Sequence, residues 1–182
     1  AALDEVRRLR AIDDEANGLR CLAELHPEFL EADFAVLMEP SDAGVEAGCQ
    51  GTLRAHVRTS GERAHSARSW LGRNAIHAAA DILNRLERYT PRTPVIDGLT
   101  YREGMNAVGI EGGVATNVIP DACEVTVNYR YAPDRSPQEA LAHVHEVFDG
   151  YPLEVVDNSP GALPGLSHPA AQAFLKATGA VP

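Results

Sequence analysis

Apolar residues along this chain fall into three patterns, and each predicts a kind of element. From Ile12 to Leu25 they recur at helical spacing (Ile12, Ala16, Leu19, Leu22), and Pro27 follows the end. Asp33 to Glu39 (DFAVLME) is instead a continuous apolar run closed by a carboxylate and Pro40, as in a parallel strand covered on both faces. Helix followed by such a strand is an α/β pattern. The character changes near Gly48. Gly51 to Thr59 alternates apolar and polar residues, which predicts a half-exposed strand turning at Ser60-Gly61. Asn74 to Tyr89 carries Ile76, Ala79, Ala80, Leu83 and Leu86 in one stripe, with Asn74 as cap and Pro91 past the end. Tyr101 to Glu111 and Glu124 to Tyr131 read as two further strands. Ser136 to Phe148 opens Ser-Pro-Gln-Glu, a capping-box spacing with proline in the first turn, and reads as a helix. Tyr151 to Val156 is a last strand, Asn158 to Pro164 a linker, and His168 to Ala177 a short helix.

The middle of the chain therefore reads β-α-β-β-α-β, an antiparallel sheet with both helices on one face, ferredoxin-like in outline. The expected class is mixed α/β (α+β), in three parts. Residues 1–49 are a partial α/β domain, residues 50–157 the ferredoxin-like domain, and residues 158–182 a return to the first domain. A chain of 182 residues can hold one good core and pieces of another. With 26 acidic against 16 basic residues the formal charge is −10, which speaks against sequence-independent nucleic-acid binding. No apolar run approaches the roughly 20 residues that cross a bilayer, and Ala1 to Arg10 has no signal-like apolar stretch. Cys21, Cys49 and Cys123 are far apart, without a paired spacing for disulfides or zinc fingers. A reducing, cytoplasmic setting is expected, with each cysteine a small buried hydrophobe.

Four residues stand out for chemistry. Glu39 closes a predicted buried strand, where α/β proteins gather functional groups, and a carboxylate there can bind a cation. From position alone, a strand-end Glu reaching solvent is the stronger reading. His65 lies in a loop between Arg63 and Arg68, where an imidazole can donate to developing negative charge. Read alone it is an exposed loop His. Asn117 follows Gly112-Gly113, and its amide could orient a carbonyl or carboxylate, or simply make a turn. Arg130 sits in a strand on the polar alternation. Its fork suits a carboxylate, and a plain surface Arg is an equal reading. His143 and His145 are two apart and do not share a helix face; these and His26, His56, His77 and His168 receive no metal role.

Taken in order, these pieces resemble the M20 metallopeptidase family. Phe34 to Ser41 (FAVLMEPS) is similar to the family strand ending Glu-Pro-Thr or Glu-Pro-Ser. Gln50-Gly51 resembles the start of its lid domain. Arg63-Ala64-His65-Ser66-Ala67 resembles its Gly-His-Ala or Gly-His-Ser loop, with Ala64 in place of glycine. Gly112-Gly113 with Ala115 to Pro120 is similar to its Gly-Gly…Asn-Val-Ile-Pro motif, and Asn128 to Tyr131 to its Asn-Phe-Arg-Phe strand. Five motifs in order, from about Ile12 to the end, are a strong signal. The wording, including Glu46 to Thr52, looks most like the family's actinobacterial succinyl-diaminopimelate desuccinylases.

The resemblance implies a zinc-dependent amidohydrolase with two zinc ions per complete site, Glu39 a ligand of one. It implies that His65 reaches across a homodimer formed through the lid domain and stabilises an oxyanion in the partner's site. Asn117 and Arg130 would hold an N-acyl amino acid substrate, Arg130 by its carboxylate. The expected reaction is hydrolysis of N-succinyl-L,L-diaminopimelate to succinate and L,L-diaminopimelate, on the route to diaminopimelate and lysine. The family's His-x-Asp and bridging Asp fall upstream of this chain, its Glu-Glu pair falls on Arg10-Ala11, and its last His falls beyond Pro182. One Glu is not expected to retain zinc, so this chain alone is expected to be inactive. Two alternatives remain open: a non-catalytic ferredoxin-like dimerisation module, and a related M20 deacylase acting on acetylornithine, N-acyl amino acids or peptides.

Overall fold

The computed structural model describes residues 18–32, 34–36 and 44–182. In chain order the elements are α1 (Gly18–Leu25), β1 (Gly51–Ser60), β2 (Ala64–His65), α2 (Ala75–Ala78), α3 (Ala80–Glu87), β3 (Val95–Ile96) and β4 (Leu99–Thr100). They continue with β5 (Gly104–Gly112), β6 (Val118–Ile119), β7 (Ala122–Tyr131), α4 (Pro137–Val147), β8 (Leu153–Ser159) and α5 (Pro169–Thr178).

The main sheet has the order β5-β7-β1-β8, and every pairing in it is antiparallel. That is the ferredoxin-like order the alternation predicts. β1 and β7 alternate strictly. Leu53, Ala55 and Val57 face inward with Val125, Val127, Tyr129 and Tyr131, all at 0% exposure, and so form one continuous wall. Ala75, Ala79 and Ile82 of the first helical segment and Ala140, Val144 and Phe148 at the second cover that wall. Small residues at 75, 79 and 140 let the helix backbones approach the sheet closely, and the large ones fill the remaining gaps. The opposite face is polar: Thr52, Arg54, His56 and Arg58 from β1 lie beside Glu124, Thr126, Asn128 and Arg130 from β7. There His56 and Arg58 both reach Glu124, at 3.2 and 2.6 Å, and Arg58 also reaches Glu154 at 2.6 Å.

Several expectations need correction. The helix predicted over 74–89 is interrupted at Ala79, whose N–H is shared between Ala75 O and Ile76 O. Its stripe is also only partly buried. Ile76 and Leu83 are 38% and 40% exposed, because they fall on the flank facing β5 rather than under the sheet. The strand predicted from Tyr101 begins at Gly104, since a small hairpin, β3–β4, occupies the preceding residues. The linker predicted from Asn158 still carries the end of β8. Phe34–Val36 form no strand, and among the described residues no neighbouring strand offers them a hydrogen-bonding edge. Instead Phe34 packs on Phe174 of α5, ring centroids 5.6 Å apart. The rest of that predicted strand, Glu39 included, lies outside the described residues, as does the start of the helix predicted from Ile12. No helix among the described residues is long and apolar enough to cross a membrane.

Candidate functional site

The loop bearing His65 leaves the sheet at the end of β1 and is tied shut at its base. Glu62 and Arg73 exchange both backbone hydrogen bonds, N–H to O at 2.7 and 3.0 Å. Gly61 makes this closure possible, because a Cβ there would stand 1.9 Å from Arg73 O. Asp121 braces the loop from the other side: its carbonyl accepts the Gly61 N–H at 2.8 Å, and its carboxylate accepts Arg63 at 2.8 Å. Within the loop, β2 pairs antiparallel with β6, setting Ala64 opposite Ile119 and His65 opposite Val118. Asn117 O accepts the Ser66 N–H at 2.8 Å. The structure therefore brings His65 and Asn117 onto one two-stranded platform, both side chains exposed. A short 3-10 helix follows at Ser66–Leu71, and its Trp70 is 77% exposed.

Arg130 stands elsewhere. It lies on the polar face of β7, opposite Thr52 of β1 and Gly104 of β5. It is eight residues along the strand from Ala122, roughly 27 Å at a rise of about 3.4 Å per residue. The His65–Asn117 platform adjoins the Ala122 end, so one copy of the chain does not bring Arg130 to His65. Among the described residues Arg130 has no carboxylate partner, unlike Arg58 on the same face.

The backbone around Arg130 is fixed by a residue that sequence reasoning missed. Glu103 has a side chain at 0% exposure. Its Oε1 accepts Arg92 at 2.7 Å and the Ala132 N–H at 3.0 Å, and its Oε2 accepts the Tyr129 hydroxyl at 2.9 Å. Burial alone would raise the Glu103 pKa, but Arg92, the Ala132 N–H and Tyr129 together hold it below the usual carboxylate value. Tyr129 is shifted upward, by burial first and by donating to Glu103 second. Arg135 in turn donates to the Tyr129 hydroxyl. The residues flanking Arg130 are pinned too, since the Tyr131 hydroxyl donates to Ser159 O at 2.8 Å. In the sequence Glu103 is one acid inside the strand predicted over Tyr101 to Glu111, with nothing to set it apart. Only the fold shows that it is buried.

The remaining candidates separate cleanly. His56 and His143 serve structural contacts, the first with Glu124 and the second with the Tyr89 hydroxyl at 2.9 Å. Cys123 is buried as expected, but Cys49 is exposed, just before β1, where it bridges Ala162 outside the main sheet. No three His, Cys, Asp or Glu side chains converge among the described residues, so these do not form a metal centre.

A family model described as a peptidase dimerisation domain of the M20 peptidases matches residues 48–155. This chain belongs to the M20 family. A Corynebacterium glutamicum protein named succinyl-diaminopimelate desuccinylase is 47% identical over 173 residues, covering 92% of this chain and 47% of its own length. A Mycobacterium tuberculosis protein bearing the same name provisionally is 56% identical over 170 residues, covering 92% of this chain and 48% of its own. The chain thus spans about half the length of the curated relatives it matches. Among solved structures, a Staphylococcus aureus tripeptidase aligns over 92% of this chain and 46% of its own, at TM-score 0.61 and 23% identity, which supports the fold. The match takes in β1, β5, β7, the helical segments that cover the sheet and the His65–Asn117 platform, and ends within β8.

Proposed function

We propose that this chain carries the lid and dimerisation domain of a succinyl-diaminopimelate desuccinylase, a hydrolase releasing succinate from N-succinyl-L,L-diaminopimelate. The observation that carries this reading is the close likeness, across 92% of the chain, to relatives bearing that name. The geometry supports a division of labour within it. His65 and Asn117 present polar groups from a braced platform toward an amide oxygen gaining negative charge. Arg130, without a carboxylate partner among the described residues and held in register by its neighbours, offers a planar fork for a substrate carboxylate. Because the two positions stand at opposite ends of one sheet, a complete site takes His65–Asn117 from one copy and Arg130 from the other.

The open edge of the sheet suits that pairing. β5 is an edge strand whose Val108 and Ile110 are 58% and 49% exposed, and Ile76 and Leu83 line the helix beside it. A second copy laid along β5 would pair its backbone and cover this apolar strip. We propose a homodimer through this edge.

The domain division proposed is 1–49 and 158–182 for the catalytic domain, with 50–157 inserted. Two contacts support it. Cys49 and Ala162 exchange both backbone hydrogen bonds at 2.9 Å, so the segments entering and leaving the sheet run side by side. Phe34 packs on Phe174, joining the flanking segments to each other. The two zinc ions, Glu39 as ligand to one of them and a cytoplasmic setting rest on the family resemblance. The described residues form no metal centre.

The test is succinate release from N-succinyl-L,L-diaminopimelate by a chain of the relatives' full length carrying this sequence. Arg130→Ala should raise KM on the order of tenfold or more, the worth of a charge-assisted pair of about 1.5–3 kcal/mol. Turnover of N-acetylornithine or a dipeptide in preference to the succinyl substrate would replace this reading with that of another M20 deacylase.

A further inference from the structure

We propose that the backbone N–H of Ala67 fixes the tautomer of His65. The Ala67 nitrogen lies 3.1 Å from His65 Nδ1, the contact by which His65 caps the following 3-10 helix. A backbone N–H can only donate, so Nδ1 is an acceptor and the single proton of the neutral ring sits on Nε2. His65 is exposed, and no other described residue bonds its ring. Its backbone is held on both sides, by pairing with Val118 and by the Ser66 N–H to Asn117 O. The exposed Nε2–H therefore projects from a braced loop, and the other nitrogen has its lone pair occupied.

The consequence is a restriction on chemistry. Neutral His65 can donate a hydrogen bond to an anionic oxygen, but it has no free lone pair with which to take a proton. It is a donor and not a general base. The Ala67 N–H is thus a positioning group for the reaction proposed above, and its catalytic meaning rests on that reading. The tautomer itself does not. His168 makes the same contact to Ala170 N at 3.3 Å where it caps α5, so the device follows from local cap geometry and precedes any substrate.

The test is a long-range 1H–15N correlation spectrum of the seven histidines in the labelled 182-residue chain. It is recorded at about pH 8.5, well above the unperturbed imidazole value of about 6.5. His65→Gln assigns the signals. The expected result is one protonated and one unprotonated nitrogen for His65, in the Nε2–H pattern, and the same for His168. Ala67→Pro, which deletes the donor, should collapse the His65 pattern toward averaged shifts and leave His168 unchanged; Ala67→Gly, which keeps the donor, should leave both. An Nδ1–H pattern or averaged shifts in the parent chain overturns the proposal, as does an unchanged His65 pattern in a folded Ala67→Pro chain. If the proline variant does not fold, the parent spectrum alone decides. An Nε2–H pattern alongside full succinate release by a full-length His65→Ala enzyme would sink the catalytic reading and leave the tautomer standing.

Discussion

A buried carboxylate costs several kcal/mol in desolvation unless a counter-charge and hydrogen-bond donors compensate it. Glu103 meets that condition with Arg92, Ala132 N–H and Tyr129, and so ties the 90–103 segment to the end of β7 one residue from Arg130. Its folded pKa is depressed, so its contribution is present above the unfolded value of about 4.3 and is lost as pH falls through the folded one. Glu103→Gln should therefore lower stability at neutral pH and flatten the acid limb of a stability–pH curve below about pH 4. Glu103→Ala leaves the buried Ala132 N–H and Tyr129 hydroxyl without their acceptor, while the half-exposed Arg92 keeps Asp134, and should cost about 1–3 kcal/mol in denaturant unfolding. An unchanged midpoint for both would mean that the network carries no stability. The chemistry-bearing residues were legible at this scale as types, since a loop His, a post-glycine Asn and a strand Arg are visible in the text. Glu103 was not, because burial of an acid leaves no mark on local pattern.

Elements here follow alternation where both neighbours are strands, and depart from it where an edge or a loop decides. β1 and β7 are central, and their period of two survives intact in the burial pattern. β5 and β8 are edges, each with a bulge, at Val108 and at Val156, which is why their patterns blur and their predicted ends shift. The capping box of α4 was readable because Ser136 and Glu139 satisfy each other locally. The β2–β6 platform was not, since two-residue strands give no periodicity and depend on the closed neck at Gly61. Gly61→Ala places a methyl against Arg73 O, so the neck must open. Expected are a lower melting temperature and faster hydrogen exchange at the Glu62 and Arg73 amides, with the β1 and β7 amides unaffected. Exchange that accelerates equally throughout would show that the loop is not a separate unit.

At the scale of the whole molecule, the separation of His65 from Arg130 turns a question of residues into one of copies. Mixing full-length His65→Ala with full-length Arg130→Ala, each impaired alone at substrate concentrations well below the raised KM, should restore activity under those conditions. In a mixed pair one site takes intact Arg130 from one chain and intact His65 from the other, giving about a quarter of the parent rate for random pairing. No rescue would place both residues in the same chain's site. Ile110→Lys puts a charge on the open edge and should shift the sedimenting species from dimer toward monomer; an unmoved dimer would send the interface elsewhere. The two margins of the sheet are unlike. β5 exposes Val108 and Ile110, whereas β8, which exposes Val155 and Val156, is bracketed by Pro152 and Pro160, carries Glu154 between them and is bulged at Val156. A sheet with two sticky margins would add copies without end and grow into a fibre. With one margin blunted, the proposed pairing through β5 would close after a single two-fold step, so overexpression should swell the population of pairs rather than seed filaments.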